Sequence, residues 1–233
     1  MSPADDSDRA AGRHPAAVVW DLDGTLVDSA PDLATNLNLM LSRRGLPEHG
    51  IDAVRLMIGH GVPKLLERGF RAAGAPLSNE EIDALTPGFL AHYATCATDR
   101  SRTMPGAIEA LKHFQSAGIP QGLCTNKNEK VSRQILAALG LAGFLDSVIG
   151  GDSTAERKPH PLPVRTCFEQ LGMDPGMSLL IGDSAADVGA ARAAGVGEVA
   201  VVADGYTDRP AEQLGADRVL DTLERIAEYY PAP

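Results

Sequence analysis

The sequence predicts an α/β fold in which a Rossmann-like, doubly wound parallel sheet core carries an inserted α-helical cap. Three observations predict it. From Met104 onward, short apolar runs alternate with helix-length amphipathic segments, the pattern of βαβ units in a parallel sheet covered on both faces. One more apolar run, Ala16 to Trp20, stands far upstream of that series. The stretch between them, about residues 31–100, reads as helix only.

Each element has its own justification. Ala16 to Trp20 is a short buried strand. In the insert, Ser29 with Asp32 resembles a capping box, Pro31 sits in the first turn, and Arg43, Arg44 and Gly45 mark the end of a first helix. Leu33, Leu37, Met40 and Leu41 share one of its faces. A second helix starts near Pro63 and buries Leu65, Leu66 and Phe70, while Ile51 to Met57 before it reads as helix or mixed. A third starts after Ser78, where Glu81 completes another capping-box pattern, and Pro87 is expected to kink or split it. Then follow a helix from Gly106 to Ala117 closed by Gly118, a strand from Gln121 to Thr125, a helix from Asn128 to Leu139 closed by Gly140, and a strand from Leu145 to Ile149. A helix near Leu162 to Leu171, a strand from Ser178 to Ile181, a helix from Ala185 to Ala194 with Gly195 beyond it, and a strand from Glu198 to Val202 complete the series.

The expected organisation is a disordered tail over residues 1–13, a core from 14–30 and 101–233, and a helical cap over 31–100. In open parallel sheets the ligand crevice lies at the C-terminal ends of the strands. An insert placed directly after the first strand overhangs that edge, which makes it a candidate lid.

Composition narrows the function. The 233 residues suffice for a sizeable core. Lys plus Arg count 21 against 31 for Asp plus Glu, a formal net charge of -10, which argues against a nucleic-acid binder held by bulk electrostatics. Cys96, Cys124 and Cys167 are far apart and lack CxxC spacing, so reduced, packed thiols are expected rather than disulfides or a zinc site. The N-terminal MSPADDSDRAAGRH is polar with no apolar segment of the signal-peptide kind, and no stretch approaches a membrane span. A cytoplasmic protein with no membrane partner is the expectation, and the sequence leaves the oligomeric state open.

The stretch VVWDLDGTLVDS, residues 18–29, then places carboxylates at the end of the first strand. An EF-hand loop starting at Asp21 requires glycine at its sixth position and glutamate at its twelfth, and Leu26 and Asp32 stand there. Plain Asp-Gly turn chemistry remains open for this stretch alone. Three further signals, however, fall at the same edge of the sheet: Thr125-Asn126-Lys127 after one strand, Lys158-Pro159-His160-Pro161 before a helix, and Gly182-Asp183-Ser184-Ala185-Ala186-Asp187 after the strand SLLI. Four independent turn features do not converge on one edge by accident.

In order and spacing these four segments resemble the signature motifs of the haloacid-dehalogenase-like phosphohydrolase superfamily, over essentially the whole chain after the tail. The continuation GTLVDSAPDL, the cap segment MIGHGVPKLLERGF, and TNKNEKV, VIGGD, KPHP and GDSAADVGAARAAG look most like phosphoglycolate phosphatases. The resemblance implies Asp21 as nucleophile and Asp23, two residues on, as general acid and base. It implies a Mg²⁺ cofactor held by the Asp21 carboxylate, the Asp23 backbone carbonyl and Asp183, with Asp187 in support. Lys158 would compensate charge on nucleophile and phosphate, and Thr125 with the backbone amides of Gly24 and Asn126 would hold the phosphoryl oxygens.

Chemistry agrees with those roles. Phosphate monoester hydrolysis is among the slowest uncatalysed reactions, and attack on a dianion by an anion requires charge neutralisation. A carboxylate nucleophile splits the hydrolysis into two easier steps, and a hard divalent ion suits a cluster of carboxylates and phosphate. A dehalogenase of the same fold needs no acid at position 23, and a transport ATPase would show lysine and threonine after the nucleophile, so Asp23 and Gly24 argue against both.

The cap must read the remainder of the substrate. Gly59-His60-Gly61 followed by Lys64 lacks the third glycine of a dinucleotide loop. A glycine-flanked turn entering a helix can point amides at a small carboxylate. Gly59, His60, Gly61 and Lys64, with Arg68 nearby, are therefore expected to meet the carboxylate of 2-phosphoglycolate. The rival readings are a sugar-phosphate mutase, a phosphatase for pyrophosphate or a sugar phosphate, and a binding module on a dead core. Asp21, Asp23, Lys158 and Asp183 are all present, which speaks against the last.

Overall fold

A computed structural model describes residues 14–207 and 209–231. The expected disordered tail over 1–13 lies outside the described residues. The first strand, β1 (Val18–Trp20), has fully buried side chains. Val18 and Trp20 enter one apolar cluster and Val19 another, because successive side chains of a strand point to opposite faces. A tight loop leads to β2 (Val27–Asp28), which pairs antiparallel with β3 (Arg102–Thr103). Between these two crossings lie α1 (Ala30–Ser42), α2 (Ile51–Arg55), α3 (Val62–Ala72) and α4 (Asn79–Cys96).

After β3 the chain alternates: α5 (Ala107–Ser116), β4 (Gln121–Cys124), α6 (Glu129–Ala138), β5 (Ser147–Ile149), α7 (Leu162–Leu171), β6 (Leu179–Gly182), α8 (Ala185–Ala194), β7 (Glu198–Val202), β8 (Arg218–Leu220) and α9 (Ile226–Tyr229). Six strands form one parallel sheet in the order β5-β4-β1-β6-β7-β8. The expected α/β fold stands, with β1 at the centre. Trp20 is level with Leu123 on one side and Ile181 on the other, so the loops after β1, β4 and β6 emerge together. The order reverses around β1, which is where such sheets open a crevice.

Three local expectations are corrected. Ser29 precedes α1, but its hydroxyl makes no capping bond and instead donates to Asp23 Oδ1 at 2.5 Å. Its supposed partner Asp32, 2% exposed, accepts from the amides of Arg100 and Ser101 and from the Ser101 hydroxyl at 2.7–3.1 Å. Ser29 is taken over by a carboxylate six residues upstream and Asp32 by partners 68 and 69 residues downstream, so Asp32 ties the start of α1 to the returning chain. Pro87 does not split α4, which runs unbroken from its Ser78–Glu81 capping box to Cys96. Its ring faces solvent, where water can satisfy the carbonyl that loses its amide partner, while Ile82, Phe89 and Tyr93 bury the opposite side. Finally, Leu145 lies outside β5, after a single 3₁₀ turn over Ala142–Phe144.

Close packing joins the helices over the crevice. Gly69 brings α3 against α1: a Cβ there would stand 2.7 Å from a Leu37 methyl group. Leu33, Leu37, Leu65, Leu66, Phe70, Phe89 and Tyr93 belong to the same apolar cluster as Trp20 and Leu123. The helical insert and one face of the sheet thus share a core.

Candidate active site

The site is built where the loops after β1, β4 and β6 meet. Asp21 follows β1 directly, its amide bonded to Ile181 O at 2.9 Å, so the strand pairing itself fixes its height. Lys158 reaches into the same space from the loop before α7. Its Nζ donates to Asp21 Oδ1 at 2.7 Å, Asp187 Oδ1 at 2.6 Å and Cys124 O at 2.5 Å, which engages all three of its N–H groups. Burial opposes charge on Lys158, but Asp187 and Asp21 outweigh it and hold the ammonium above the ordinary lysine range.

The three carboxylates of Asp21, Asp183 and Asp187 are buried, and each offers an oxygen within 4.8 Å of the others. Burial pushes the Asp21 carboxyl up to about 7, against the pull of Lys158 and with Asp187 adding repulsion. Asp183 is also raised well above the carboxylate range by burial and by Asp187 and Asp21. Among the described residues it accepts only from the amide of Tyr206, at 2.5 Å. For Asp187, burial is outweighed by Lys158 and by the Ser184 hydroxyl and backbone amides, which hold it below the ordinary range. One ammonium therefore faces three buried carboxylates, and the two of higher proton affinity, Asp21 and Asp183, still have free oxygen lone pairs. That donor set fits a hard divalent cation.

Gly24 explains why a glycine follows the two aspartates. Its φ is +87°, and a Cβ would collide with the Asp183 carboxylate and with Tyr206. Its amide donates to Val27 O at 2.9 Å, however, and so is engaged in the turn. In this structure the expected phosphate-binding amide is thus occupied within the turn, while the missing side chain of Gly24 allows the close approach of Asp183 and Tyr206. Thr125, 3% exposed, lines the cleft, and its Oγ1 accepts from the Lys127 amide at 3.3 Å, which leaves the hydroxyl hydrogen to donate. Asn126 uses its side chain to join three loops: Nδ2 donates to Gly59 O and to Lys158 O at 3.0 Å, and Oδ1 accepts from the Lys158 amide at 2.9 Å.

Asp23 is held by two residues to which the sequence reading assigned no role there. Ser29 donates to Oδ1, and Lys127 Nζ reaches Oδ1 at 2.9 Å and Oδ2 at 3.1 Å. The lysine stands directly after Thr125-Asn126 in the chain, which was the available signal. Burial opposes its charge, but Asp23 and the neighbouring Tyr93 outweigh that and hold the ammonium above the usual lysine range. Tyr206 was also missed. Its amide is on Asp183, and its hydroxyl donates to Asp28 and accepts from the Ala30 amide, so it links the aspartate cluster to the first crossing into the helices.

The cleft over these groups encloses about 570 Å³, its mouth included. Asp21, Asp23, Thr125, Lys127, Lys158 and Asp187 form its floor, and Leu33, Ile58, Val62, Leu65, Leu90 and Tyr93 its roof. Gly59 and Gly61 also line it. His60 is exposed, and Lys64 lies outside the lining, pairing with Glu67 at 2.6 Å. Arg68 donates to Leu56 O instead. Cys124 and Cys167 are buried free thiols, and burial pushes the Cys167 thiol up to about 12 and Cys124 further still, as expected for packed cysteines. Among the described residues no helix is long and apolar enough to cross a membrane.

Comparison with known proteins gives a consistent picture. Residues 15–195 match the model of the haloacid dehalogenase-like hydrolases. A phosphoglycolate phosphatase from Caulobacter vibrioides is 44% identical over 208 residues, covering 89% of this chain and 87% of its own. One from Rhodospirillum rubrum is 40% identical over 225 residues, covering 94% and 93%. The crystal structure of a predicted phosphoglycolate phosphatase from Haemophilus somnus 129PT matches with a TM-score of 0.84 at 32% identity, over 92% of this chain and 97% of that one.

Proposed function

We propose that this chain, which belongs to the haloacid dehalogenase-like hydrolase family, is a Mg²⁺-dependent phosphatase that hydrolyses 2-phosphoglycolate to glycolate and phosphate. The single observation that carries the reading is the pairing of two carboxylates at the end of β1 with two different lysines: Asp21 with Lys158 and Asp23 with Lys127. Two identical side chains two residues apart thereby take separate tasks. The name shared by relatives up to 44% identical over most of the chain supports the substrate. We read 14–30 and 101–231 as the catalytic core and 31–100 as its cap.

Asp21 is the nucleophile. One carboxylate oxygen attacks phosphorus as the P–O bond to the leaving group breaks, and an aspartyl-phosphate forms. Asp23, 9% exposed and two positions on, protonates the departing alkoxide and then takes a proton from the water that hydrolyses the aspartyl-phosphate. Lys158 keeps Asp21 oriented and faces the phosphoryl oxygens with fixed positive charge, and the Thr125 hydroxyl and Asn126 amide donate to them. A divalent cation, held by Asp21, Asp183 and the Asp23 backbone carbonyl, would neutralise charge shared by nucleophile and phosphate. Asp187 supports that arrangement through Lys158, since both its oxygens are already engaged.

The test is phosphate release from 2-phosphoglycolate beside a panel of sugar phosphates, nucleotides and pyrophosphate, with Mg²⁺ and with chelator. We expect release that depends on Mg²⁺ and a kcat/KM for 2-phosphoglycolate above every other member. Better hydrolysis of another member would move the substrate assignment, and release only in the presence of a phosphorylated sugar activator would favour a mutase.

A further inference from the structure

We propose that Lys127 and Tyr93 form a second anion subsite in the cleft, which receives the carboxylate of the leaving group and so selects a short acidic ester. The inference rests on the phosphatase reading above. Its starting point is a poorly satisfied group: the Tyr93 hydroxyl is buried, its residue 1% exposed, and among the described residues it has no hydrogen-bond partner at normal distance, with the Lys127 ammonium its near neighbour. A buried hydroxyl without a partner carries a desolvation cost that a ligand can relieve. Tyr93 lines the cleft, and Lys127 Nζ stands 4.8 Å from the centroid of its ring.

Lys127 has the complementary capacity. Among the described residues its hydrogen bonds of normal length both go to the Asp23 carboxylate, at 2.9 and 3.1 Å, and an ammonium has three donors, which leaves one on the side of Tyr93. Lys158, the other lysine lining the cleft, has all three engaged. Lys64 and Arg68, the cations expected from sequence to meet the substrate, point to Glu67 and Leu56 instead.

Reach fixes the class of ligand. Asp23 must lie against the ester oxygen to protonate it, and Lys127 is one hydrogen bond beyond Asp23. A leaving group with one methylene between that oxygen and a carboxylate spans this gap. Leu33, Ile58 and Leu65 wall the space with apolar surface, which strengthens the attraction of an ammonium for a carboxylate and offers nothing to the hydroxyls of a sugar. An ester lacking the carboxylate leaves Tyr93 unsatisfied, and an enzyme site rejects such analogues because its own polar group stays unpaired.

The experiment measures kcat and KM for 2-phosphoglycolate and for ethyl phosphate in the wild type and in Tyr93→Phe, with glycolate tested as a competitive product inhibitor. The wild type is expected to prefer 2-phosphoglycolate. In Tyr93→Phe the ratio of the two kcat/KM values should fall about tenfold, through KM, and glycolate should inhibit about tenfold more weakly. Lys127→Met should lower kcat for both esters, because Asp23 loses its partner, and should abolish the preference. A wild-type preference that survives Tyr93→Phe, with unchanged glycolate inhibition, overturns the subsite and leaves the phosphatase reading intact. Equal use of the two esters by the wild type overturns the phosphoglycolate assignment, and the subsite with it.

Discussion

Asp21→Asn is expected to lower kcat for 2-phosphoglycolate by about 10⁴-fold or more, to the level at which only binding and electrostatics assist water. The amide has nearly the shape of the carboxylate, and its oxygen can still accept from Lys158, 2.7 Å away in the wild type. Unfolding is therefore not the expected cause of the loss. Asp21 sits among buried carboxylates that raise one another's proton affinity. Removing one negative charge relieves that repulsion, so in the absence of metal the variant should melt at the same temperature as the wild type or higher. Loss of activity with a lowered melting temperature would point to a structural role instead, and normal turnover would refute the nucleophile.

Lys158→Met should damage both stability and rate. The ammonium is 3% exposed and is the charge partner of Asp21 and Asp187. Removing one partner of a buried pair leaves uncompensated charge and typically costs about 3–5 kcal/mol. Losing a preorganised positive group at the phosphoryl site should cost a further factor of about 10²–10³ in kcat. The pH dependence of the stability loss has a definite sign. Without the ammonium, the Asp21 carboxyl, already raised by burial to about 7, rises further, and Asp187 loses the main interaction that holds it below its unfolded value against burial, so both folded-state pKa values move up. Such groups contribute stability below the unfolded carboxylate pKa and lose it as pH climbs through the folded one. The gap between variant and wild type should thus widen from acid toward neutral pH, as read by thermal melts across that range. A gap that narrows over the same range would contradict the account.

What the sequence made legible follows the physics of each feature. β1, β4, β6 and β7 are short apolar runs bounded by turn residues, and each lies within about two residues of its expectation. β8 went unseen because Arg218–Leu220 is a three-residue run on the sheet's edge with no periodicity to detect. β2 and β3 are two residues each and exist only through pairing with one another across 73 residues of intervening helix and turn. Most of the polar and charged groups of the site were legible because Asp21, Asp23, Thr125, Lys158 and Asp183 stand in motifs at one edge of the sheet. The partners that tune it were not. Lys127 meets Asp23 from 104 positions away and Tyr206 meets Asp28 from 178, distances at which local pattern carries no signal. Ser29 and Asp32 show the reverse failure. Their local pattern was a good capping box, but the Asp23 carboxylate claimed Ser29 and backbone amides 68 and 69 residues away claimed Asp32.

The central claim is that the phosphoryl group passes through Asp21. It is tested most directly by acid quench of the enzyme during turnover of 2-phosphoglycolate with Mg²⁺, followed by mass mapping of its peptides. The account predicts one added phosphoryl group on the peptide containing Asp21, absent in Asp21→Asn and lost on mild alkaline treatment. A phosphoryl group on any other residue, or none at all while phosphate is being released, would contradict it.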